Sequence, residues 1–218
     1  MVHGSAPVMT VGVDRSAVET ALGGGGLGCP VAGCGGRLAP WGWPRARGVR
    51  GEGDQVRLRP RRSVCVGCRR TQVLLPASVL LRRADAVTVI GAALLAKAGG
   101  WGHRRVAARL GRPASTVRGW LRRITAVADR VLAVLAAVAA ELGAEFVPPA
   151  PTTEPVAAVV ELVGALARAA ARQLGGSCSP WRLAAVVSGG RLLGPNGPDL
   201  LPGWGPGSNT SWLWAGGL

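Results

Sequence analysis

Four cysteines carry the first chemical signal in this chain. Cys29-Pro-Val-Ala-Gly-Cys34 and Cys65-Val-Gly-Cys68 are two close pairs with 30 residues between them. Two thiolates offered from one tight turn can point at a common ion, and a second such turn completes a tetrahedron of four sulfurs. Glycines in and beside both pairs let the backbone fold back around an ion without a Cβ clash. The expected ligands are Cys29, Cys34, Cys65 and Cys68, and the expected ion is a structural zinc. A closed four-sulfur shell leaves no open coordination position, so no metal catalysis is expected of it. In a small, highly charged region the ion would supply much of the folding free energy. Cys178 stands apart, near Trp181, and reads as an unpaired thiol.

The second signal runs from His103 to Arg122, HRRVAARLGRPASTVRGWLR, with the spacing of a helix-turn-helix. Ala107 is small where two helices would cross. Gly111, four residues on, stands where the turn needs a left-handed backbone, and Val117, six further, would pack back on the first helix. Val106, Leu110, Trp120, Leu121 and Ile124 complete the apolar stripe. Pro113 suits the first turn of the second helix, where a missing N–H has no intrahelical partner. That leaves Ala114, Ser115, Arg118, Gly119 and Arg122 on one outward edge. Small residues there permit close approach to a groove, and Arg118 and Arg122 reach guanine edges or phosphates. Arg104, Arg105, Arg112, Thr116 and Arg123 are the expected backbone contacts, which position without specifying sequence. His103 reads as a solvated or capping residue.

The elements that must position these residues follow from pattern and charge. Val56–Arg59 alternates apolar and basic, Thr71–Leu75 is a second strand-like run closed by Pro76, and both belong to a ribbon over residues 29–80. Val87, Ile90, Leu94 and Leu95 are spaced for one helix face ending at Gly99-Gly100. This opens a helix-turn-helix domain over 82–126. Of 218 residues, 25 are Arg and one is Lys, and the net charge is +15. Residues 29–130 hold 21 basic and four acidic side chains, a net +17, whereas the flanking parts are each at −1. A GC-rich genome accounts for Arg over Lys but not for that segregation. A block this basic expects a polyanionic partner.

Cys29…Cys34, then Cys65-Val-Gly-Cys68-Arg-Arg-Thr71-Gln-Val-Leu-Leu-Pro76 and the helix-turn-helix, resembles the N-terminal region of zinc-ribbon transposases of bacterial insertion sequences. It is similar in particular to an actinobacterial domain family of unknown function associated with mobile elements. The resemblance covers about residues 29–125 and implies a zinc ribbon ahead of a DNA-reading helix-turn-helix. It departs from the full transposases after residue 130, where they continue into a nuclease domain with an acidic triad. Here that stretch offers only Glu141, Glu145, Glu154, Glu161 and Asp199. A two-metal nuclease needs several converging carboxylates, and Glu141 and Glu145 read as a solvated i,i+4 face. No enzyme is expected.

The rest is organised around these modules. Residues 1–28 read as a flexible leader without a secretory signal. A helix over about Asp129–Phe146, a linker at Pro148, Pro149, Pro151 and Pro155, and a helix over about Val156–Leu174 form an apolar hairpin. Its seam would set Leu132, Leu135, Val138 and Leu142 against Val159, Leu162, Leu166 and Ala170. Residues 129–175 then either cover the helix-turn-helix or make a homodimer. Residues 176–218 read as a Gly/Pro/Trp-rich tail. No apolar run reaches the 18 or more residues of a membrane span. The expected fold is thus mostly α with a small β zinc ribbon, a helix-turn-helix domain and an apolar helical segment. The expected protein is cytoplasmic, associated with the nucleoid, and binds double-stranded DNA as a transcriptional regulator or transposase-like recognition protein. The alternatives are a nucleic-acid module without sequence preference, RNA included, and less favoured, a catalytically active transposase.

Overall fold

The structure is a computed structural model that describes residues 8–144, 154–174, 177 and 179–198. The expected leader is instead part of the first layer. β1 (Val8–Val11) and α1 (Arg15–Gly23) precede β2 (Leu38–Gly42), β3 (Arg47–Arg50), β4 (Gln55–Leu58), β5 (Arg61–Cys65) and β6 (Thr71–Pro76). β1, β6, β5 and β2 lie side by side in that order, with β1 parallel to β6 and the other pairs antiparallel. The four residues of β1 carry no long alternation, which hid them in the sequence. Pairing Val8 with Val73 and Val11 with Pro76 satisfies the edge of β6 that would otherwise lie open. α1, capped by the Asp14 carboxylate on the Ser16 N–H at 2.8 Å, covers one face. Met9, Val11, Leu22, Leu27, Leu38, Cys65 and Leu74 form the core beneath it. A ribbon of residues 29–80 alone therefore lacks an edge strand and a lid. β3 and β4 form a separate two-stranded hairpin.

The second layer is helical. α2 (Val87–Ala98), α3 (His103–Leu110), α4 (Ala114–Ala126), α5 (Ala128–Glu141), α6 (Pro155–Leu174) and α7 (Pro180–Val187) share one apolar core. Val87, Ile90 and Leu94 of α2 face into it, but Leu95 is 52% exposed, so the expected four-residue face holds only three. α6 packs on α5 and crosses α2, burying Val159, Leu162, Leu166 and Ala170. The expected hairpin is not formed. Gln173 Nε2 donates to Leu142 O at 2.9 Å, so the C-terminal ends of α5 and α6 meet. The expected linker at Pro148, Pro149 and Pro151 lies outside the described residues.

The expected tail is also corrected in its first part. α7 is packed into the core: Trp181, Leu183, Ala184, Ala185, Val186 and Val187 are all buried, as are Leu192 and Leu193 beyond it. A Cβ at Gly91 in α2 would lie 2.3 Å from the Trp181 ring, so this indole occupies the space a side chain there would need. The turn after α7 meets the first layer, where Gly190 O accepts from the Leu81 N–H at 2.8 Å. Cys178 and residues 199–218, with Trp204, Trp212 and Trp214, lie outside the described residues. Among the described residues no helix is long and apolar enough to cross a membrane.

Candidate nucleic-acid interface and metal centre

Two turns at one end of the sheet bring the four cysteines together. In the first, ahead of β2, the Cys29 N–H donates to Gly36 O at 2.7 Å and the Cys34 N–H to Val31 O at 3.1 Å. The second joins β5 to β6. There the Cys68 N–H points at Cys65 Sγ (3.4 Å), and Arg69 takes a left-handed φ of 62°. Gly36 lies between the turns: a Cβ there would sit 2.7 Å from Cys65 Sγ and 3.3 Å from Cys34 Sγ. Glycine is what lets the two turns close on each other. The four Sγ atoms lie within 4.8 Å of one another. The short approaches join one turn to the other, Cys29 to Cys68 at 3.7 Å and Cys34 to Cys65 at 3.6 Å.

These separations are far beyond a disulfide's roughly 2.05 Å. The Cys68 backbone N–H, helped by that of Gly67, pulls the Cys65 thiol down to about 6 despite its burial. Burial pushes the Cys29 thiol up to about 12. Backbone N–H groups thus favour the thiolate form at Cys65. Four soft donors in one shell can hold a metal ion.

The helix-turn-helix is assembled from α2, α3 and α4. Val106 and Ala107 of α3 pack with Val117, Trp120, Leu121 and Ile124 of α4 over Ile90 and Leu94 of α2. Gly111 ends α3 in the left-handed region (φ 60°, ψ 40°). The Arg112 N–H closes the turn on Ala107 O at 3.0 Å. Pro113 is the N-cap residue, one position ahead of the first helical turn expected for it. Ala114, Ser115, Arg118 and Arg122 are exposed on α4 as the spacing implies, and Gly119 and Thr116 are half-buried. Arg123 is exposed and donates to Gly119 O at 3.1 Å, across the helix surface. On α3, Arg104 and Arg105 are exposed, and the Arg105 guanidinium stacks 3.8 Å from the Trp101 ring.

Lys97, His103, Arg118 and Arg122 border an open groove of about 530 Å³ between the start of α3 and α4. Gly102 leaves the α3 N-terminus without a side-chain cap. Three cations and the uncapped start of α3 border this groove, an arrangement that favours an anionic partner.

Arg112 is the exception among the expected backbone contacts. Its Nε donates to Asp85 Oδ1 at 2.7 Å, its Nη1 to Leu110 O, and its Nη2 to Gly51 O in the β3–β4 turn. With 13% side-chain exposure, this guanidinium is committed inside the protein rather than held out to a phosphate. Asp85 is 3% exposed and also accepts both arms of Arg50, at 3.0 and 2.8 Å. The sequence reasoning missed both partners. The available signal was that Asp85 is one of four acidic residues in a block of 21 basic ones, just ahead of a helix. A second missed feature is Trp43, held between β2 and β3 with Arg15 and Arg61 at 4.3 and 4.4 Å from its ring.

Residues 81–131 match the family model of a homeodomain-like domain. No curated protein and no solved structure matches the chain. The matched residues take in α2, α3 and α4, so the homeodomain-like domain coincides with the trihelical unit described above. This is a helix-turn-helix region of the kind that binds DNA.

Proposed function

We propose that the chain is a sequence-reading protein of double-stranded DNA, with α4 as the helix that enters the major groove. The observation that carries this is the exposed edge of α4 within the homeodomain-like domain. Ala114 and Ser115 allow close approach, and Arg118 and Arg122 follow one and two turns later. Arg118 and Arg122 carry the direct reading of bases. Arg104, Arg105 and Arg123, with Thr116, hold the phosphates. The surrounding net charge of +17 over residues 29–130 supports a phosphate partner.

The cysteine cluster supports a zinc ribbon in the same reading. Zinc held by four sulfurs at about 2.3 Å separates neighbouring sulfurs by about 3.8 Å. The two short approaches here are 3.7 and 3.6 Å, and all four sulfurs lie within 4.8 Å of one another, which supports Cys29, Cys34, Cys65 and Cys68 as the ligands. When bound, zinc would fix the two turns and hence the ends of β2, β5 and β6.

The role is that of a regulator or of the DNA-recognition part of a transposase-like protein, cytoplasmic and acting by occupancy rather than catalysis. Full-length protein purified with zinc tests this by selection from a random duplex pool at about physiological salt. An enriched motif is expected, and two spaced half-sites would report a homodimer. Tight, salt-sensitive binding with no enrichment, or preference for RNA, would replace this reading by a non-specific nucleic-acid module. Metal-dependent strand cleavage would replace it by an active transposase.

A further inference from the structure

We propose that the β3–β4 hairpin is a second DNA-contacting element, laid on the duplex beside the base pairs that α4 reads. The inference rests on the DNA-binding reading above and extends it to a surface that the homeodomain-like match, residues 81–131, does not include.

The hairpin has little reason to exist as core. Val49 is its one buried apolar residue, whereas Gln55, Val56 and Arg57 of β4 are all exposed. It shares no strand pairing with the four-stranded sheet. Val49 and half-buried Leu58 anchor it on Leu75 and Val79, and polar bonds tie it to the helix-turn-helix: Arg50 grips Asp85 with both arms, and Arg112, next to the start of α4, donates to both Asp85 and Gly51 O. Backbone bonds add to this, from the Arg50 N–H to Ala84 O at 2.8 Å and from the Ala86 N–H to Arg50 O at 2.9 Å. One buried carboxylate therefore sets the hairpin's place relative to the N-terminus of α4.

The register then decides which side chains the hairpin offers. Arg50 pairs with Gln55 and Gly48 with Arg57, so these four share one face. Gly48 clears that face for Gln55, whose Nε2 would meet a Cβ there at 2.4 Å. Gln55 and Arg57 are solvent-exposed, and Arg59 follows just beyond the strand, its Nε donating to Pro44 O at 3.4 Å. Glu52 and Asp54 place two negative charges at the tip, which repels phosphate. The contact therefore runs along the stem. Arg57 lies two residues, about 7 Å, further from the tip than Gln55, so the basic stem leads away from α4 and meets flanking DNA. A two-stranded ribbon has the dimensions to lie in a groove of the duplex.

The test compares full-length, zinc-loaded wild type with a Q55A/R57A double variant, both positions being exposed. The DNAs are the selected site alone and the same site with about one helical turn, some 10 bp, on each side. On the flanked duplex the variant should bind roughly three- to tenfold more weakly, with a salt slope smaller by about 1. On the trimmed duplex the two proteins should bind alike. R57K should restore the slope and R57E should exaggerate the loss. If the double variant matches wild type on the flanked DNA while R118A still loses base preference, the hairpin proposal is overturned and the α4 reading stands. If wild type binds no duplex at all, both fail together.

Discussion

Arg112 and Arg118 are separated by less than two helical turns and do opposite work. Arg118 projects from α4 into solvent, whereas Arg112 turns inward to Asp85. Sequence pattern placed both on the DNA side, because a helix-turn-helix template records which positions are polar but not which of them finds a buried partner. Replacing Asp85 with Ala would leave the Arg112 charge uncompensated and mostly buried. The expected cost is about 3–5 kcal/mol in urea unfolding, and a loss under 1 kcal/mol would show that the network contributes little. The cysteines were legible because metal-ligand spacing is a local property, and the structure brings all four together. Replacing Cys65 and Cys68 by Ser should abolish retained zinc, read as metal content per chain, and unfold the sheet end that the two turns close. Unchanged metal content would defeat the zinc assignment.

At the scale of elements, what was legible had strong periodicity. The strand at residues 71–76 and the helices α2 to α6 were visible in the spacing of apolar residues, to within a few positions. β1 and α7 were not. β1 is four residues long and becomes a strand only because β6 offers it an open edge. α7 sits in a Gly/Pro/Trp-rich composition that reads as a tail, and its burial depends on a socket made by another element. That socket is specific. Gly91→Ala should push a methyl group into the Trp181 ring and destabilise by about 1–3 kcal/mol. Pairing it with Trp181→Leu should recover part of the loss, and strict additivity of the two would show that the two sites are not coupled.

Across the whole molecule, polar and apolar links join the two layers, among them the cluster of Val49, Leu75 and Val79 with Ala86 packed against it. Asp85 ties the β3–β4 hairpin to the helix-turn-helix, and Gly190 and Leu81 tie the turn after α7 to the end of the sheet region. The N-terminal segment belongs to this assembly rather than trailing from it. Deleting residues 1–27 removes β1, α1 and buried Met9, Val11, Leu22 and Leu27. It should therefore lower the unfolding midpoint sharply and weaken zinc retention. A truncated protein as stable as the full chain would contradict the sheet order found here.

The central claim is that α4 reads bases through Arg118, and its most direct measurement is the base-preference profile of Arg118→Ala against wild type on the selected site. The account predicts preference lost at one or two adjacent base pairs, worth about 1–3 kcal/mol there, with the remaining positions and the salt slope little changed. A uniform loss on selected and random duplex alike would make Arg118 a phosphate contact and contradict the assignment of α4 as the reading helix.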